Sequence, residues 1–94
     1  MSKRVMPDIT GTVGTTAISV VMPPKGGSCA AFFIRNRDPT NNLFWAAYPA
    51  TATTASAQLV PGAQVYVDAI IDEGAGISVI GSAAGVPYTI TPLG

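Results

Sequence analysis

Nowhere in this chain do apolar residues recur at i, i+3, i+4 and i+7 over eleven residues or more between capping residues, which rules out the amphipathic helix as its building unit. Short β-branched and aromatic runs take its place, cut apart by clusters of Gly, Pro, Asn and Asp. Thr15–Met22, Cys29–Asn36, Leu43–Tyr48, Gln64–Ala69, Ile77–Gly81 and Val86–Ile90 read as strands. The punctuation between them has its own chemistry. Pro23-Pro24-Lys25-Gly26-Gly27 lacks donors at the prolines and stiffness at the glycines. In Asp38-Pro39-Thr40-Asn41-Asn42 the proline fixes φ and the Asx side chains bond nearby backbone, which predicts a hairpin joining the second and third strands. Pro61-Gly62 suits the two central positions of a type II turn. Asp72–Gly76 and Ser82–Gly85 supply two further turns.

Six or seven strands at this spacing predict an all-β domain, a small antiparallel β-sandwich of Ig-like or jelly-roll-like type, over residues 15–94. Residues 1–14, with Gly11 and Gly14 and little patterning, read as an extended N-terminal arm. Thr/Ala-rich 50–57 reads as an edge segment or a loop. Alternation assigns faces within strands. Val65, Val67 and Ala69 point inward and Gln64, Tyr66 and Asp68 outward. Phe32 and Ile34 share one face of their strand, with Phe33 and Arg35 on the other. A strand with large apolar groups on both faces belongs at the centre of a sheet or at an interface. Pro87, with no N–H to donate, points to an edge position for the last strand or to an outward-facing N–H side.

Ninety-four residues hold one domain. Ten charged side chains, five of each sign, are too few to clothe a small globule, so much of the surface must be Thr, Ser, Ala, Gly and apolar groups. That predicts assembly with partner chains. The balance of charge gives no case for nucleic acid or an anionic membrane as partner. Cys29, the only cysteine, sits in an apolar run and reads as a buried small hydrophobe. Val5-Met6-Pro7-Asp8 after the basic pair is not the apolar stretch of a signal peptide, and no run has the length of a membrane helix. Synthesis in a reducing cytosol is expected.

The chain has no histidine, which removes the commonest general base and metal ligand and every Ser-His or Cys-His couple. Asp68, Asp72 and Glu73 do not match a calcium loop. The glycines of 74–81 have the wrong spacing for a nucleotide loop, and no helix follows them. No catalytic residue, metal site or cofactor is expected. The residues that stand out are interface candidates: Phe33, Trp45, Tyr48 and Tyr66 as aromatic anchors, and Lys3 and Arg4 as a basic pair in the arm.

The segments Phe32–Trp45 (FFIRNRDPTNNLFW), Leu59–Ala69 (LVPGAQVYVDA) and Ile77–Ile90 (ISVIGSAAGVPYTI) resemble small β-sandwich virion proteins of tailed bacteriophages. In those proteins an Asn-x-Asp turn leads to an aromatic strand, a Pro-Gly turn follows, and a Gly-x-Ala-Ala-Gly hairpin closes the domain. The resemblance covers about two-thirds of the chain, residues 30–91. It implies a structural virion protein that decorates or cements a capsid. Such a protein is a homo-oligomer, a trimer being one form, bound to the major capsid or other virion proteins, and it resides in the virion after synthesis in the host cytoplasm. The alternative is a head- or tail-associated module that recognises a host glycan or partner protein.

Overall fold

The computed structural model describes residues 7–21, 30–47, 50–68 and 76–94. Eight strands carry the fold: β1 (Ile9–Val13), β2 (Ile18–Val21), β3 (Ala31–Asn36), β4 (Leu43–Ala47), β5 (Ala57–Leu59), β6 (Gln64–Val67), β7 (Gly76–Gly81) and β8 (Val86–Leu93). They form two four-stranded sheets, ordered β1-β8-β3-β6 and β2-β7-β4-β5, with every pairing antiparallel. The expected all-β sandwich is what the chain forms, and this strand order is the wiring of a jelly roll.

The inner faces follow from alternation. Phe32, Ile34, Val86, Tyr88 and Ile90 from the first sheet meet Val20, Leu43, Leu59, Ile77 and Val79 from the second. Phe32, Ile34, Leu43, Val79 and Ile90 are wholly buried. As expected of its two-sided apolar pattern, β3 is a central strand, flanked by β8 and β6.

Several sequence expectations change. Residues 9–13, assigned to an arm at 1–14, are strand β1, paired with β8 from Ile9↔Ile90 to Val13↔Val86. Its pattern was hidden by Gly11, which has no side chain because Tyr88 fills the space: a Cβ there would lie 2.8 Å from the Tyr88 hydroxyl. Residues 50–57 supply both a loop and the start of β5. Ala52 is buried and its N–H bonds Ser78 Oγ, so this segment lies against the outer face of the second sheet.

No hairpin joins β3 to β4 or β7 to β8. Each of those turns carries the chain from one sheet to the other. β8 is central rather than at an edge, because both of its prolines fall where a ladder has ended. Pro87 turns its backbone toward the end of the β3 ladder, where the Arg37 N–H bonds its carbonyl. Leu93 faces β3, its carbonyl accepting from Ala30, so its neighbour Pro92 faces the other side, two residues past Ile90 where pairing with β1 stops.

Candidate assembly surface

The exposed face of the first sheet is a grid fixed by register. In one row Thr91 of β8 stands opposite Phe33 of β3, which stands opposite Tyr66 of β6; Asp8 continues the row by accepting a 2.6 Å bond from the Thr91 hydroxyl. In the next row Thr10, Thr89, Arg35 and Gln64 lie side by side. Arg37 follows two residues beyond Arg35, on the same face. Asp8, Thr10, Phe33, Arg35, Arg37, Gln64, Thr89 and Thr91 line one concavity of about 300 Å³. Two exposed guanidinium groups against one carboxylate make it positively charged, and the threonines and Gln64 make it rich in hydrogen-bonding groups.

Phe33 and Tyr66, two of the anticipated anchors, come together here. Their rings are 5.0 Å apart and tilted by 54°, a cross-strand pair of the kind that contributes about 0.5–1 kcal/mol to a sheet. Tyr66 is 44% exposed, so the pair presents an aromatic ridge beside the concavity. Trp45, the third of the anticipated anchors, does not join them. It lies on the inner face of β4 with Leu43, half-buried, its ring edge-on to Phe32 at 5.8 Å and 86°. Lys3, Arg4 and Tyr48, and with them Cys29, Asp72 and Glu73, lie outside the described residues.

Arg35 and Arg37 are not among the residues that stand out in the sequence. The signal that could have found them is the shared parity of Phe33 and Arg35 on β3, which the register extends to Arg37. The threonines of β1 and β8 carry no signal, because nothing in the sequence tells that these strands flank β3.

The rim above this face is held by side chains. Asn36 Nδ2 donates to the carbonyls of Asn41 and Leu59, both at 2.9 Å, while its Oδ1 accepts from the Asp38 N–H. Asp38 Oδ1 in turn accepts from the backbone N–H groups of Thr40 and Asn41 at 2.8 Å. This is the physical content of the Asn-x-Asp motif: one amide and one carboxylate replace the backbone partners that a chain loses when it changes sheet. The Pro61-Gly62 turn closes as anticipated, with Gly62 at φ 78° and the Ala63 N–H on the Val60 carbonyl.

The Thr40 N–H first, and then that of Asn41, hold the Asp38 carboxyl below its ordinary 3.8. A carboxyl depressed by folding contributes stability that is complete above the unfolded value and lost as pH falls through the folded one. Urea melts at about pH 5, 4, 3 and 2 should therefore show wild-type stability declining, with a shallower decline in Asp38→Ala, which starts less stable at pH 5. Parallel curves would remove Asp38 from the acid transition.

The fold thus defines an eight-stranded jelly-roll sandwich with a cationic, partly aromatic sheet face. No protein-family model matches the chain, and no curated protein matches it. Among solved structures it is similar to a protein of the Bacillus endospore appendages, which form a family of disulfide-linked pili. The two share 14% identity and a TM-score of 0.51, over 99% of this chain and 91% of that one. The role expected from the sequence, decoration of a phage capsid with a head- or tail-associated module as its alternative, is corrected by this finding. The likeness runs along nearly the whole chain to a bacterial appendage rather than to a capsid decoration.

Proposed function

We propose that this chain is a non-catalytic structural subunit that assembles with copies of itself into a fibrous appendage. The observation that carries the reading is the state of the sheet edges. Among the described residues β1 and β6 border the first sheet and β2 and β5 the second, and none of the four contains a charged residue or a proline. Edge strands of stable monomers are commonly blunted by such residues, because an open edge is a template for another chain. β1 is five residues long and the pairing register points its Thr10 and Thr12 N–H groups away from β8, toward the open side. The small charge count supports the same reading, as does the likeness to a pilus protein. The absence of histidine and the use of Asp38 inside its own turn support a non-catalytic role.

The similar protein belongs to disulfide-linked pili, whereas this chain has one cysteine. One thiol per copy joins two copies and stops there, so a longer fibre depends on non-covalent contacts. Sedimentation and electron microscopy of the purified chain test the reading. Elongated assemblies that persist in reductant are expected. Thr12→Pro, which removes a donor from the open side of β1 and spares its bonds to β8, should shift the chain toward monomer with its β-sheet spectrum intact. A wild-type chain that stays monomeric at every concentration tested would defeat the proposal.

A further inference from the structure

We infer that β1 is its own complement: it pairs antiparallel with β1 of a second copy about a two-fold axis at Gly11, an inference that rests on the self-assembly reading. Thr12 stands opposite Pro87, which has no N–H, and the bonds between β1 and β8 run through Ile9, Gly11 and Val13. The outward positions are therefore Thr10 and Thr12, one on each side of Gly11. Turned about the axis, Thr10 of one copy stands opposite Thr12 of the other, and Thr12 opposite Thr10. Each of these pairs exchanges both of its backbone bonds, so the seam closes on four. Faces match as well: threonines meet threonines on the exposed side, and Ile9 meets Val13 on the inner side. β1 carries no charge that this pairing would set against itself.

Tyr88 supplies the second, independent observation. It is only 5% exposed, and its ring reaches across Gly11 on the inner face, with the hydroxyl 2.8 Å from where a Gly11 Cβ would lie. That hydroxyl is not sealed from solvent and forms no hydrogen bond among the described residues. A tyrosyl hydroxyl on a nearly buried ring ordinarily has a partner. Because Gly11 sits on the axis, the pairing brings the Tyr88 hydroxyls of both copies together, where one donates to the other.

The same group selects the partner. The inward side chains of the other three edges are aliphatic: Ile18 and Val20 in β2, Ala57 and Leu59 in β5, Val65 and Val67 in β6. None of these edges would set a polar group against the hydroxyl, whereas a second β1 does. A two-fold contact of this kind uses the same patch on both copies and closes at two. The pair is thus the repeating unit, and growth of the fibre falls to other surfaces.

Sedimentation equilibrium and residue-resolved amide exchange on the full chain test the pair. A two-copy species should be the first step of assembly. In it the Thr10 and Thr12 amides should exchange at least about tenfold more slowly than in dilute monomer, because they have gained acceptors. Tyr88→Phe keeps the ring over Gly11 and removes only the hydroxyl; it should raise the dissociation constant of the two-copy species by about tenfold with the β-sheet spectrum intact. If wild type assembles without a two-copy step, if Thr10 and Thr12 stay unprotected, or if Tyr88→Phe pairs as tightly as wild type, the β1 pair is refuted and self-assembly stands. If wild type is monomeric at every concentration, the self-assembly reading falls and the pair with it.

Discussion

Gly81→Ala should destabilise the domain by about 3 kcal/mol, and Gly81→Val should prevent it from folding. Gly81 ends β7 at the corner where the chain leaves the second sheet for the first. A Cβ there would lie 2.7 Å from Val86 Cγ2, 3.0 Å from the Val13 carbonyl oxygen and 3.1 Å from that of Ala83. Val86 is completely buried, so its side chain is packed on every side. The two oxygens belong to backbone, and the Gly81 N–H is itself fixed on the Gly14 carbonyl at 2.8 Å. Relief therefore requires moving strands rather than side chains. In a domain of this size about 3 kcal/mol corresponds to roughly 12–24 °C in Tm. Gly14→Ala is the internal control: its Cβ would meet nothing nearer than Ala84 Cα at 3.9 Å, and thermal melts should put it within about 0.5 kcal/mol of wild type. Equal losses at the two positions would show that glycine is needed at these corners for flexibility rather than for space.

The same corner explains which parts of the fold the sequence reveals. Alternation is a local property, so β6 is legible residue by residue, with Val65 and Val67 in and Gln64 and Tyr66 out. Turn chemistry is local as well, and Pro61-Gly62 and Asp38–Asn42 behave as their residue types dictate. Whether a turn folds a strand back beside its predecessor or sends it to the opposite sheet is not local. After β3 that choice depends on the Asn36 side chain reaching Leu59, twenty-three residues away, and after β7 on Gly81 nesting against Val13 and Val86. A strand is also hidden when its inward position is filled from outside. In β1 the sequence offers Ile9, Gly11 and Val13, and the missing middle side chain is supplied by Tyr88.

Site residues follow the same division. Phe33 and Tyr66 were legible because each lies opposite the core side of its own strand, and antiparallel pairing made them neighbours. Trp45 was not. Leu43, Phe44 and Trp45 are all large and apolar, so parity alone does not tell which face of β4 turns inward. The segment around Ala52 lies against the outer face of that sheet, and both faces of β4 are consequently protected. An aromatic that would serve as an anchor on a one-sided sheet becomes core on a two-sided one. The polar part of the concavity depends on β1, β8, β3 and β6 being neighbours, which no local pattern encodes.

Asn36→Asp changes one atom type and should cost about 3–5 kcal/mol at neutral pH. Asn36 is wholly buried, and its Nδ2 gives both of its hydrogens to carbonyl oxygens, of Asn41 and of Leu59. In the variant a carboxylate oxygen faces those same two oxygens: two bonds become two repulsions, and a charge is buried without a partner. The Oδ1 that accepts from the Asp38 N–H is retained, so the loss isolates the donor side of the amide. Protonation of the new carboxyl restores one donor, and burial among acceptors raises its folded pKa above the unfolded value. The variant should therefore recover part of its deficit as pH falls through that raised value toward the ordinary range for Asp. Asn36→Ala, which removes the acceptor of the Asp38 N–H and the donor to the Asn41 and Leu59 carbonyls, should lose about 2–4 kcal/mol with no such recovery. Urea melts of the two variants at about pH 7 and about pH 4.5 distinguish the cases, and a pH-independent deficit in Asn36→Asp would mean that the corner opens to water instead of holding its charge dry.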